Sequence, residues 1–129
     1  MKLQRPSQEA WDEFTEVHSR VERTPAIIGV TPLDRGLHGA MGLAGESGEA
    51  LELFKKYLFR YKQPPVFDGQ QLIDELGDAF WYFALILDSQ HISFDEILEH
   101  NAKKLKARYA ERFAKDADSV TPDQVCDAV

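Results

Sequence analysis

A single cysteine, Cys126, in a chain of 129 residues leaves no partner for an intrachain disulfide, which fits a reducing compartment. No apolar signal core follows Met1-Lys2-Leu3-Gln4-Arg5, and the longest apolar run, residues 79–87, is too short to span a bilayer. A soluble protein is expected, with the cytoplasm as its address. No segment alternates apolar and polar residues as a strand would, and there is no internal repeat or low-complexity tract. Positive charge is scarce: 15 Lys and Arg stand against 22 Asp and Glu, and the net charge of -7 repels polyanions. Nucleic acid and anionic membranes are therefore not expected as partners, whereas a small anionic ligand that brings its own cation is compatible. None of the four histidines completes a Glu-x-x-His motif of the kind that builds di-iron bundles, which disfavours iron chemistry.

What remains reads as helices. With 43% hydrophobic residues the chain can bury a core, and its length predicts one domain over residues 1–115 followed by a tail, 116–129, in which Thr121-Pro122 could start a short helix. Ser7 is placed to cap a first helix carrying Trp11, Phe14, Val17 and Val21 at spacings of three and four. Residues 24–36 hold Pro25, Gly29, Pro32 and Gly36 and are predicted to form a loop. A second helix is predicted over 37–58, a turn with Pro64-Pro65 over 62–69, and a third helix over 70–90. Ser93 and Glu96 form a capping box that opens a fourth helix to about Phe113. The expected class is all-α and four-helix-bundle-like. The run Ala79-Phe-Trp-Tyr-Phe-Ala-Leu-Ile-Leu87 is apolar on every side, and a helix apolar all round must be buried all round. One small bundle cannot do that easily, so part of this helix is expected to meet a second subunit, in a homodimer or a dimer of dimers.

Within this helical frame two acid pairs stand out, Glu46/Glu49 and Glu75/Asp78, each in an apolar, glycine-dotted segment. Residues three apart share a helix face, so two such helices side by side would gather four carboxylates. Carboxylates among apolar residues need a partner, and a hard divalent cation with an oxygen shell is the natural one. The bland alternative is a solvated face; it suits Glu52, which can pair with Lys55 or Lys56, better than it suits Glu75 and Asp78 among Leu72, Ile73, Leu76, Ala79 and Phe80. Gly39, Gly42, Gly45 and Gly48 recur every three residues around the first pair, each unfavourable in a helix by about 1 kcal/mol relative to alanine. Tight helix packing and room for metals with a phosphate chain both account for them.

The run Gly42-Leu-Ala-Gly-Glu-Ser-Gly-Glu-Ala-Leu-Glu-Leu-Phe-Lys-Lys56, then Asp74-Glu-Leu-Gly-Asp-Ala-Phe-Trp-Tyr82, then Asn101-Ala-Lys-Lys-Leu-Lys-Ala-Arg-Tyr109, closely resembles the MazG-like nucleotide pyrophosphohydrolases. The likeness is to a short, phage-type, single-domain form similar to the MazZ-like (d)GTP diphosphohydrolases. It implies an all-α fold, an oligomer, and cleavage of a nucleoside triphosphate between the α and β phosphates, giving monophosphate and pyrophosphate. It implies dependence on Mg2+, two or three ions, with Mn2+ able to substitute, and it makes dGTP one candidate substrate.

Carried onto this chain, the resemblance makes Glu46, Glu49, Glu75 and Asp78 the metal-binding and catalytic acids, with Glu49, beside Gly45 and Gly48, a candidate general base. Asn101, Lys104, Arg108 and Tyr109 match the downstream substrate-binding stretch, and the first three share one stripe. A solvated basic face is the rival for these lysines. Lys55 and Lys56, two turns beyond the first acid pair, could reach a triphosphate or simply pair with Glu52. His38 and Trp11 are candidates for contact with a base, although aromatic residues such as Trp11, Phe14 and Trp81 more often belong to a core. Two other readings stay open: a dUTPase-like diphosphatase, and a non-catalytic helical interaction module binding magnesium structurally.

Overall fold

The computed structural model describes residues 3–21, 31–59, 66–110, 112 and 114. Among them the chain is all-α, with helices α1 (Gln8–Val21), α2 (Pro32–Phe59), α3 (Gly69–Gln90) and α4 (Phe94–Arg108) and no strand. The chain divides into two compact units, Met1–Thr15 with Ser93–Val129, and Glu16–Ile92, with the boundary inside α1. The predicted prolyl turn at Pro64-Pro65, most of the 24–36 loop, Phe113 and the 116–129 tail lie outside the described residues.

Each helix begins where a side chain satisfies its free N–H groups. Ser7 Oγ accepts from the Ala10 N–H at 3.1 Å, as the sequence predicts for α1. Asp68 caps α3 by accepting from the Gln71 N–H at 2.9 Å. Both halves of the Ser93/Glu96 capping box form, at 3.1 and 2.7 Å, and these bonds hold the Glu96 carboxyl below its ordinary value. The start of α2 corrects the sequence reading. Pro32 to Gly36, expected in a loop, is helical. Proline suits the first helical turn, where its missing N–H is not needed. Thr31 Oγ1 accepts from the Asp34 N–H at 3.2 Å while Asp34 Oδ2 accepts from the Thr31 N–H at 3.2 Å. Thr-Pro-x-Asp is thus a reciprocal cap, a start signal concealed by the surrounding glycines and prolines.

In the Glu16–Ile92 unit α2 and α3 run antiparallel. Arg35 near the start of α2 pairs with Asp88 near the end of α3 at 2.6 Å, and Gln90 Nε2 donates to the Pro32 carbonyl at 2.8 Å. At the opposite end Phe67, just before α3, packs at a tilt on Phe54 and edge-on to Tyr57 of α2, centroids 5.0 and 5.7 Å apart. Between these ends, Ala50 and Leu53 of α2 and Ala79, Ala84, Leu85 and Leu87 of α3 are buried. Burial of a leucine side chain such as Leu85, fully enclosed, stabilises by about 1.5–3 kcal/mol. His18 of α1 is buried with its ring 5.0 Å from that of Trp81.

The glycines divide between two purposes. A Cβ at Gly39 would stand 2.7 Å from Ile86 Cγ1 and 3.0 Å from the Tyr82 carbonyl, and one at Gly42 would enter the Tyr82 ring. These glycines let the two backbones approach. Gly45 and Gly48 have nothing within 4 Å of such a Cβ, so helix packing among the described residues does not account for them.

In the other unit, Trp11 of α1 meets Phe94 of α4 edge-on, centroids 4.9 Å apart, with Phe14 6.1 Å away. No residue of α4 is fully buried.

Candidate functional site

The antiparallel pairing brings the acids of α2 beside those of α3. Glu46 and Glu49, one turn apart on α2, and Glu75 on α3 each offer a carboxylate oxygen, and these atoms lie within 4.8 Å of one another. The three differ in setting: Glu75 is buried, 9% exposed, Glu46 is half-buried and Glu49 is exposed. Asp78, exposed one turn beyond Glu75, is not one of this close trio, but its charge reaches it. Partial desolvation first, and then the charges of Glu49, Asp78 and Glu75, push the Glu46 carboxyl above its ordinary value. All four acids predicted from sequence therefore belong to one electrostatic neighbourhood. An oxygen-only set of donors with mutual repulsion fits a hard divalent cation, because the cation offsets the charge that the acids impose on each other.

Local structure explains how the cluster is held. Side chains on a helix lean toward its N-terminus, so Glu75 lies over the turn containing Gln71, whose Nε2 donates to Glu75 Oε1 at 3.3 Å. Gly45 lies one turn before Glu49, and a Cβ there would meet nothing within 4 Å. The sequence reading did not single out Gln71; its position four residues before Glu75 was the available signal.

The remaining candidates fall elsewhere. Lys55 Nζ pairs with Glu52 Oε1 at 2.6 Å, which lowers the Glu52 carboxyl through that hydrogen bond, and Lys56 is exposed in the last turn of α2. The pairing is the one that the sequence offered as the alternative to phosphate contact. His38 on α2 is half-buried, edge-on to Tyr82 with centroids 5.7 Å apart. Trp11 sits in the aromatic cluster with Phe94 and Phe14 described above. Asn101, Lys104 and Arg108 are exposed on α4, and Tyr109 is its C-cap residue, with the Arg112 guanidinium 5.2 Å over the ring.

No helix among the described residues is long and apolar enough to cross a membrane. Residues 38–113, more than half of the chain, match the family model of the MazG nucleotide pyrophosphohydrolase domain. Comparison with curated proteins and with solved structures gives no match. The matched span contains both acid pairs and all of α4, in the order in which the motifs occur. The chain belongs to the MazG nucleotide pyrophosphohydrolases, divalent-metal-dependent hydrolases acting on the acid anhydride bonds of nucleoside triphosphates.

Proposed function

We propose that the chain hydrolyses a (deoxy)nucleoside triphosphate between its α and β phosphates, releasing a nucleoside monophosphate and pyrophosphate. The observation that carries the reading is the convergence of Glu46, Glu49 and Glu75 from two helices inside the matched domain. In this reading the three glutamates and Asp78 hold Mg2+, two or three ions, with Mn2+ as a substitute. Bound divalent cations lower the pKa of coordinated water and offset charge on the phosphate oxygens. Glu49, exposed and beside Gly45 and Gly48, accepts the proton of the attacking water. The water oxygen bonds to the α-phosphorus, the bond from that phosphorus to the bridging oxygen breaks, and pyrophosphate leaves with the bonding pair. Open space over Gly45 and Gly48 lets a phosphate chain lie close to the α2 backbone.

Substrate-binding roles for Asn101, Lys104, Arg108 and Tyr109 rest on their motif order and, for the first three, their shared stripe on exposed α4. Lys56 is exposed and available for phosphate contact, and Lys55 would have to leave Glu52 to reach one. His38 and Trp11 are candidates for contact with the base, with the core role that their present aromatic contacts show as the competing one. dGTP is one candidate substrate, from the likeness to short phage-type forms. The working form is a homodimer or dimer of dimers.

A panel of canonical NTPs and dNTPs with Mg2+, read for monophosphate and pyrophosphate, tests the reaction. The expected result is equal amounts of both products, lost on chelation and restored by Mg2+ or Mn2+. Preference for dUTP over the other nucleotides would favour the diphosphatase alternative, and absence of turnover throughout would favour the interaction module. Glu75→Ala and Asp78→Ala should each abolish turnover and leave the helical circular dichroism unchanged; near-normal activity in either would overturn that site assignment.

A further inference from the structure

We propose that Gln71 is a positioning residue for Glu75, its side-chain amide orienting the buried carboxylate of the cluster toward Glu46 and Glu49; the inference rests on the metal-site reading of those acids. Gln71 Nε2 donates to Glu75 Oε1 at 3.3 Å across one helical turn. The backbone of Gln71 is anchored in the first turn of α3, where its N–H donates to the Asp68 cap at 2.9 Å. The acceptor is the most enclosed of the three converging acids, at 9% exposure, so an unsupported rotamer there has little water to hold it. A carboxylate has more lone pairs than one amide can use, so a hydrogen bond at Oε1 leaves acceptor capacity for a cation. The choice of amide is also chemically apt. A lysine or arginine in this place would bring a positive charge that competes with a cation, whereas glutamine orients the ligand and leaves its charge intact.

The same helix supplies an internal control. Gln70 Nε2 donates to Asp74 Oδ1 at 3.4 Å with the same four-residue spacing, one position round the helix, on an exposed acid outside the trio. A glutamine–carboxylate bond that serves only the helix has no bearing on cation binding at either position, whereas a positioning role makes Mn2+ affinity respond at Gln71, whose acceptor belongs to the trio, and not at Gln70.

The test uses the full chain and Mn2+ alone as the probe, with binding measured by electron paramagnetic resonance or calorimetry. Gln71→Met keeps the side-chain length and removes the donor; Gln71→Ala removes it with a better helix former and guards against a fault peculiar to methionine. Both should weaken Mn2+ binding by roughly 10-fold or more, the lower end of what partners of metal ligands contribute. Gln70→Met should bind Mn2+ as the unsubstituted protein does. In turnover assays the Gln71 variants should need more metal to reach full rate, while the nucleotide KM at saturating metal is unchanged. Wild-type affinity in both Gln71 variants, or equal weakening in Gln70→Met, overturns the proposal. Glu75→Gln separates the two levels: if it leaves Mn2+ affinity unchanged, the metal-site reading itself fails and takes this inference with it.

Discussion

At the scale of single residues, four carboxylates were legible because spacing alone puts Glu46 with Glu49 and Glu75 with Asp78 on shared helix faces. Their ranking was not. Glu75 and Asp78 lie in the same apolar run, yet the first is buried and the second exposed, because a one-turn step along α3 changes what faces each side chain. Lys55 shows the opposite case, where sequence left two partners open and the structure supplies Glu52. The raised Glu46 carboxyl gives a prediction of definite sign. Desolvation, then the charges of Glu49, Asp78 and Glu75, disfavour its ionised form in the folded state. Ionised Glu46 therefore opposes folding above its ordinary pKa, and the fold regains stability as pH falls and the group takes up a proton. Glu46→Gln should raise the metal-free thermal midpoint near neutral pH, and the advantage should shrink on acidification. Mg2+ should stabilise the wild-type protein by mass action and the variant much less. A metal-free variant that melts below wild type near neutral pH would show that repulsion does not dominate at Glu46.

At the scale of helices, the capping residues were the most reliable signals. Ser7, Ser93 and Glu96 act as their positions predict, whereas Thr31-Pro32-x-Asp34 was hidden among loop-forming residues and moved the start of α2 forward. The glycine series could not be resolved by sequence, because period three says nothing about which members meet a neighbour. Structure separates them, and substitution should do the same. Gly45→Ala and Gly48→Ala meet no atom within 4 Å, so each should stabilise the fold by about 0.5–1 kcal/mol through helix propensity. Gly39→Ala must displace Ile86 and approach the Tyr82 carbonyl, and Gly42→Ala must displace the Tyr82 ring. Both should destabilise by about 1–3 kcal/mol, the usual cost of overpacking. Urea titration of the four variants provides the comparison, with stabilisation at 39 or 42 as the contrary result. On the proposed function, Gly45→Ala and Gly48→Ala should also lose activity while gaining stability, since a methyl group there narrows the space beside Glu49.

At the scale of the whole molecule, the third helix posed a question that sequence could state and not answer. A stretch apolar on every side has no phase, so nothing in it says which residues face α2. The structure divides them: Ala79, Ala84, Leu85 and Leu87 are buried, whereas Phe80 is 39% exposed and continues a stripe at spacings of three and four with Ile73 and Leu76, which precede the run and are exposed at 64% and 53%. Leu51, Phe54 and Leu58 are likewise exposed along α2 at the same spacings. Apolar stripes of this kind are unusual on a monomer surface and are covered most simply by a second copy, because a symmetric pair buries the same stripe twice. The proposed dimer or dimer of dimers then predicts a solution mass at micromolar concentration of at least twice 14.7 kDa. Leu76→Lys, at the middle of the α3 stripe, should shift that mass toward the monomer, because a lysine ammonium buried without a partner strongly disfavours association. A control at an exposed polar position, Gln70→Lys, should leave it unchanged. Sedimentation that finds a 14.7 kDa species for the unsubstituted chain would remove the oligomer and leave the exposed stripe to some other partner. A multimer insensitive to Leu76→Lys would keep the oligomer and move its interface away from this face of α3.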